Sequence, residues 1–204
     1  SPYLRHGLWE HGYVVDTFWV QANEGGFYHE QDRLREQVRK VLTGDVALAD
    51  AYKSTFKAAR LEQLHEEPLY EGCREVLDRY HAMDNVIMAI ATGKSQRGVR
   101  AMLEREGLDG YFASIQTADD APSKPHPAMI HQAISETGAT LAKTVMVGDT
   151  TFDMTMARNA GVGAIGVSWG YHPTDHLVTS GAHHILHDYS QLSESVEKYL
   201  STGT

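Results

Sequence analysis

Three short stretches of this chain place hydroxyl, ammonium and carboxylate groups where they could hold an anion and a hard metal ion. Thr92-Gly93-Lys94-Ser95 follows an apolar run that ends at Ala91. A hydroxyl and free backbone N–H groups at a helix start suit a phosphate oxyanion, which makes Thr92 and Gly93 candidate phosphate ligands. Lys124 lies in Ser123-Lys124-Pro125-His126-Pro127, where two prolines stiffen the turn and would hold an ammonium group in place. Gly148-Asp149-Thr150-Thr151-Phe152-Asp153 follows the run Thr144-Val145-Met146-Val147. This spacing sets Asp149 at a strand tip and Asp153 in the first helical turn, so both carboxylates can point into one cleft. Such hard oxygen ligands suit Mg2+, which binds few carboxylates and keeps several waters. Taken singly, each stretch is ordinary. A Thr-Gly after a strand is usually a turn, a lysine near prolines is usually solvated, and Gly-Asp after an apolar strand is common. Their order, each at the end of a strand, carries the functional reading.

The elements that must position these groups are legible in the apolar pattern. Residues 85–91, 144–147 and 163–167 are continuous and apolar, the mark of parallel strands covered on both faces. Helical spacing spans Gly72 to Ala82, Ser95 to Gly107, Pro127 to Gly138 and Phe152 to Ala160, and glycine stands at or just beyond the last three ends. A further helix is expected over Gln191 to Tyr199, reached through a short strand at His184-Ile185-Leu186. Strand-helix alternation predicts an α/β fold with a doubly wound parallel sheet, whose ligands bind beyond the carboxyl ends of the strands. Residues 1–67 differ. Pro2 to Trp9, Glu30 to Leu42 and Ala47 to Arg60 have helical character, and Gly12 to Val20 resembles a strand. A core from residues 1–20 and 67–204, with a small helical domain over 21–66, is expected.

These segments resemble the haloacid-dehalogenase (HAD) superfamily, most of all its phosphoglycolate-phosphatase-like branch. Ala91-Thr92-Gly93-Lys94-Ser95 resembles that family's second motif, Ser123-Lys124-Pro125 its third, and Gly148 to Asp153 its fourth. Pro68-Leu69-Tyr70-Glu71-Gly72 resembles the return from the helical cap into the core, and Ser168-Trp169-Gly170-Tyr171 a segment common after the fifth strand. The resemblance implies a HAD-type Rossmann-like core, with the domain over 21–66 as its cap. It implies Thr92 as the phosphate-binding hydroxyl, Lys124 as the charge-neutralising cation, and Asp149 and Asp153 at the Mg2+ site. It also implies attack of an aspartate on phosphorus, followed by hydrolysis of the aspartyl-phosphate. The substrate class would be a small phosphomonoester such as 2-phosphoglycolate.

The family sets Asp-x-Asp-Gly-Thr at the tip of its central strand, and that string occurs nowhere in this sequence. Val14-Val15-Asp16-Thr17-Phe18-Trp19 is the candidate for the slot. With Asp16 as nucleophile, Phe18 would stand at the acid/base position, and phenylalanine transfers no proton. Two readings stay open. One is a phosphatase with a modified first motif and Asp16, Thr92 and Lys124 as catalytic candidates. The other is a catalytically silent or truncated HAD-like protein that keeps the phosphate and Mg2+ site as a binding or regulatory module.

Composition excludes several other classes. The 204 residues carry a net charge of -9, which opposes binding to a phosphate backbone, and no nucleic-acid partner is expected. The apolar run Val86 to Ala91 is too short to span a bilayer and no signal-peptide pattern opens the chain, so a cytoplasmic protein without a membrane partner is expected, as monomer or homodimer. A P-loop would need glycine where Met88 stands, five positions before Gly93. Cys73, the single cysteine, is expected as a small buried apolar residue. His183, His184 and His187 lack metal-ligand company in sequence and are expected as scattered surface residues.

Overall fold

The computed structural model describes residues 69–201. Asp16, the strand-like stretch 12–20, the three N-terminal helical stretches and the domain expected over 21–66 lie outside the described residues.

Within 69–201 the order is α1 (Cys73–His81), β1 (Ala89–Ala91), α2 (Gln96–Glu106), β2 (Ser114–Gln116), α3 (Ala128–Thr137), β3 (Val145–Gly148), α4 (Thr151–Ala160), β4 (Gly163–Val167), α5 (Thr174–Thr179), β5 (His184–Leu186) and α6 (Leu192–Ser201), with short 3-10 turns at Leu141–Lys143 and Tyr189–Gln191. β1 pairs parallel with β2, and β3, β4 and β5 form a parallel sheet in that order. The expected α/β class holds. Among the described residues no strand bonds to both β1 and β3. The two pieces meet through one core, in which Ala91 of β1, Met129 and Ile130 of α3, Met146 of β3, Met154 and Met156 of α4 and Leu177 of α5 are buried. Methionine suits this junction, since its unbranched side chain fills irregular gaps.

The helices stand where periodicity sets them. α2 buries Val99, Met102 and Leu103 on one face, is capped by Ser95 accepting from Gly98 N–H, and ends at Gly107 with φ 62°. That left-handed conformation is one glycine adopts at little steric cost. The strand expected over 85–91 shortens to Ala89–Ala91, because the ladder runs only as far as its three-residue partner β2. β2 and α5 were not expected: β2 buries the polar Ser114 and Gln116 with Ile115 only half-buried between them, and α5 buries Leu177 alone, so neither makes an apolar period. No helix among the described residues is long and apolar enough to cross a membrane. Cys73 is fully buried, and burial pushes its thiol up to about 12, far from a reactive thiolate.

His183 differs from the expected surface histidine. It is half-buried, its Nδ1 accepts the Ala164 N–H at 2.9 Å, and its ring lies between Arg158 and Tyr199. Burial first, then the Arg158 charge and His184, holds the imidazole below its ordinary value of 6.5. The neutral ring therefore stabilises the fold. That contribution is complete above the ordinary value and declines as pH falls through it toward the lower folded-state value. Urea unfolding should show stability falling as pH drops through the ordinary imidazole value of 6.5, and His183→Gln should flatten that slope.

Candidate active site

Asp149 leaves the carboxyl end of β3 and is fully buried. Its Oδ2 accepts the Tyr171 N–H at 2.7 Å, and its backbone carbonyl accepts the His172 N–H at 3.1 Å. The segment after β4 thus folds back over the aspartate. Gly170 makes this approach possible, since a Cβ there would stand 2.1 Å from Asp149 Cβ and 2.3 Å from its Oδ2. The Nδ1 of His172 accepts the Thr151 N–H at 2.9 Å, closing the first turn of α4. Sequence reasoning noted Ser168 to Tyr171 only through resemblance and missed His172. No local pattern marks a loop that braces a carboxylate some 20 residues earlier in the chain.

Asp153 occupies the first turn of α4 and is 1% exposed. Its Oδ2 accepts from Thr150 N–H at 3.0 Å and from the Thr150 hydroxyl at 2.7 Å, while the Asp153 N–H donates back to Thr150 Oγ1. This reciprocal cap settles the orphan donors that open a helix. Its Oδ1 lies 2.6 Å from Lys124 Nζ, whose side chain is 13% exposed. Burial works to raise the Asp153 pKa. The Lys124 charge and the hydrogen bonds from Lys124 and Thr150 outweigh it and hold the carboxyl below the usual carboxylate range. Lys124 is reached by the loop between β2 and α3, which is also tied to α4 by Asn159 Nδ2 donating to Pro125 O at 3.0 Å. The lysine expected to be stiffened by its prolines is held by α4 as well.

Thr92 follows β1, is 6% exposed, and donates its N–H to Gln116 O at 2.9 Å. Its Oγ1 accepts the Lys94 N–H at 3.2 Å and keeps its own proton to donate, the role a phosphate-binding hydroxyl needs. Gly93 is exposed with open space where a side chain would stand. Three N–H groups around the start of α2 are taken up within the protein: Gln96 N–H goes to Asp119 Oδ2 at 2.8 Å, Gly98 N–H to Ser95 Oγ, and Lys94 N–H to Thr92. Direct bonds therefore join Lys124, Asp153 and Thr150, whereas Thr92 is held by Gln116 and Lys94.

The donor set bears on the expected Mg2+. Asp153 was expected at the metal site; its oxygens accept from Lys124 and Thr150, so it holds the lysine and caps α4. Among the described residues no group of three or more acidic, histidine or cysteine side chains forms a ready cage. A single buried carboxylate, Asp149, fits an ion that keeps most of its waters and takes further oxygens from a phosphate.

The Lys124–Asp153 pair makes its own prediction. Asp153→Asn leaves a largely buried ammonium without its counter-charge, which should cost on the order of 3 kcal/mol in urea unfolding. Because the folded carboxyl titrates below its ordinary value of 3.8, the wild-type advantage is complete above that value and is lost as pH falls below it. The two proteins should converge in acid.

Comparison with known proteins bears on the family and the fold. Residues 29–167 match the haloacid dehalogenase-like hydrolase family. The chain is 45% identical over 106 residues to a probable phosphatase, IndB, of Dickeya dadantii, a stretch covering 52% of this chain and 46% of that protein. It is 33% identical over 146 residues to a phosphoglycolate phosphatase of Agrobacterium fabrum, covering 71% and 62%. The chain thus spans about half to two thirds of the length of these curated relatives. Among solved structures, a predicted phosphatase from Clostridium acetobutylicum superposes with TM-score 0.72 at 20% identity, covering 92% of this chain and 99% of that one. A HAD-superfamily hydrolase of subfamily IA from Geobacter sulfurreducens gives 0.64 at 19% identity, covering 90% and 98%.

Proposed function

This chain belongs to the haloacid dehalogenase-like hydrolase family, and on that premise we propose that it hydrolyses a small phosphomonoester, phosphoglycolate-like, with Mg2+ as cofactor. The observation that supports the reading most is the Lys124–Asp153 ion pair at 2.6 Å, whose aspartate stands one helical turn after the buried Asp149. Lys124 would neutralise charge on the phosphoryl group, and the Thr92 hydroxyl would donate to one of its oxygens. Asp149 would hold the metal, and Tyr171 and His172 keep that carboxylate aimed. Mg2+, when bound, supplies Lewis-acid stabilisation of phosphoryl oxygens. A carboxylate nucleophile would form and lose an aspartyl-phosphate. Asp16 is the candidate in this sequence and lies outside the described residues. A free small substrate, no nucleic-acid or membrane partner, a monomer or homodimer and a cytoplasmic setting complete the proposal.

One observation favours a second reading: the sequence contains no Asp-x-Asp-Gly-Thr, and Phe18 stands at the acid/base position beside Asp16. A binding or regulatory module that holds phosphate and Mg2+ without turnover would need only Thr92, Lys124 and Asp149.

Lys124→Ala and Asp149→Asn should each lower Mg2+-dependent hydrolysis of p-nitrophenyl phosphate and 2-phosphoglycolate by roughly a hundredfold or more. Normal activity in both variants would place the site elsewhere. Phosphate binding by the wild-type chain without any hydrolysis would decide for the silent module.

A further inference from the structure

Between the turn that carries Thr92 and the turn that carries Lys124 lies a set of hydrogen bonds with no place in the chemistry above. Asp120 Oδ2 accepts from Thr117 N–H at 2.9 Å, from the Thr117 hydroxyl at 2.6 Å and from Gln96 Nε2 at 2.7 Å. Gln96 Nε2 also donates to Ile115 O at 3.1 Å, and Gln96 N–H to Asp119 Oδ2. Ala118 N–H donates to Lys94 O at 3.1 Å, and Asp119 N–H to Thr117 Oγ1. One carboxylate oxygen therefore gathers the end of β2, the first residue of α2 and the root of the loop that delivers Lys124 four residues later.

We propose that Asp120, acting with Gln96 and Thr117, is a positioning residue of the phosphate site: it locks the Thr92 turn to the Lys124 turn, so that hydroxyl and ammonium face one phosphoryl group at a fixed spacing. The inference rests on the phosphate-binding reading of Thr92 and Lys124. The arrangement is more than a local turn. The Thr117 bonds, three residues back, belong to the turn itself, whereas the bond from Gln96 crosses 24 residues of sequence and ties that turn to α2. Thr117 is fully buried, so its hydroxyl needs an internal acceptor. The side-chain bonds from Thr117 and then Gln96 hold the Asp120 carboxyl below the usual range, and it remains a charged acceptor. Charge alone cannot be its use here, since a carboxylate near an anion site repels the ligand. What the site gains is geometry, and misplacing a binding group by about 1 Å can cost up to a hundredfold.

That opposition of charge and geometry gives a test with opposite signs. Inorganic phosphate binding to the full 204-residue chain is measured by titration calorimetry in Mg2+, well below the unfolding transition. Asp120→Ala removes the acceptor and should weaken phosphate binding by roughly tenfold. Asp120→Asn keeps an acceptor oxygen and drops the charge, so it should bind within about threefold of wild type, or more tightly. Gln96→Ala, which leaves the Asp120–Thr117 bonds intact, should weaken binding severalfold and serves if Asp120→Ala fails to fold. Wild-type affinity in Asp120→Ala and Gln96→Ala overturns the inference. So does equal gain in Asp120→Ala and Asp120→Asn, because that pattern reports charge and not geometry. Lys124→Ala is the control. If it binds as wild type does, or wild type binds no phosphate, the functional reading itself fails; if it is impaired while Asp120→Ala is not, only the positioning role falls.

Discussion

Asp153 is buried and ionised, and neither state would persist without the other groups around it. Taking a carboxylate out of water costs several kcal/mol unless donors and a counter-charge replace the solvent. Here the two oxygens divide the task. One meets the Lys124 ammonium, and the other takes the amide and hydroxyl of Thr150. The second set fixes where α4 begins, and so fixes the turn in which Asp149 leaves β3. The first pins the loop between β2 and α3 onto α4. Gly148 belongs to the same constraint, since a Cβ there would lie 2.5 Å from that of Asp153. A strand, a helix start and a distant loop therefore share one charge.

The sheet shows how such a site is carried. β1 and β3 are parallel strands in separate hydrogen-bonded pieces, and α3 lies against both β1 and α4. Four fully buried methionines, Met129, Met146, Met154 and Met156, fill the junction. Thr92 is rooted in one piece and Asp149 in the other, so the spacing between them is a property of the core and of loops, not of one continuous ladder.

What could be read from the sequence was what repeats at short range. The inward faces of α2 and α3, their glycine ends, the buried strands β3 and β4, and the strand-tip placement of Thr92 and Asp149 all follow from periods of two to four residues. What could not be read lies in pairings across the chain. The bond from Lys124 to Asp153 was not legible because the two residues are 29 positions apart. The bond that occupies the Gln96 N–H could not be foreseen because its acceptor, Asp119, is 23 residues on. β2 was invisible because Ser-Ile-Gln has no pattern of its own and becomes a strand by pairing with β1.

The segment from Ser168 to His172 looks like an ordinary connection after a strand, the sort of place where protein engineers graft, lengthen or cut a chain. Such connections usually tolerate it. This one is stitched to Asp149 at side chain and backbone, has no room for a methyl at Gly170, and braces α4 through His172. Loop grafting or circular permutation at this point would disturb the carboxylate before it disturbed the fold.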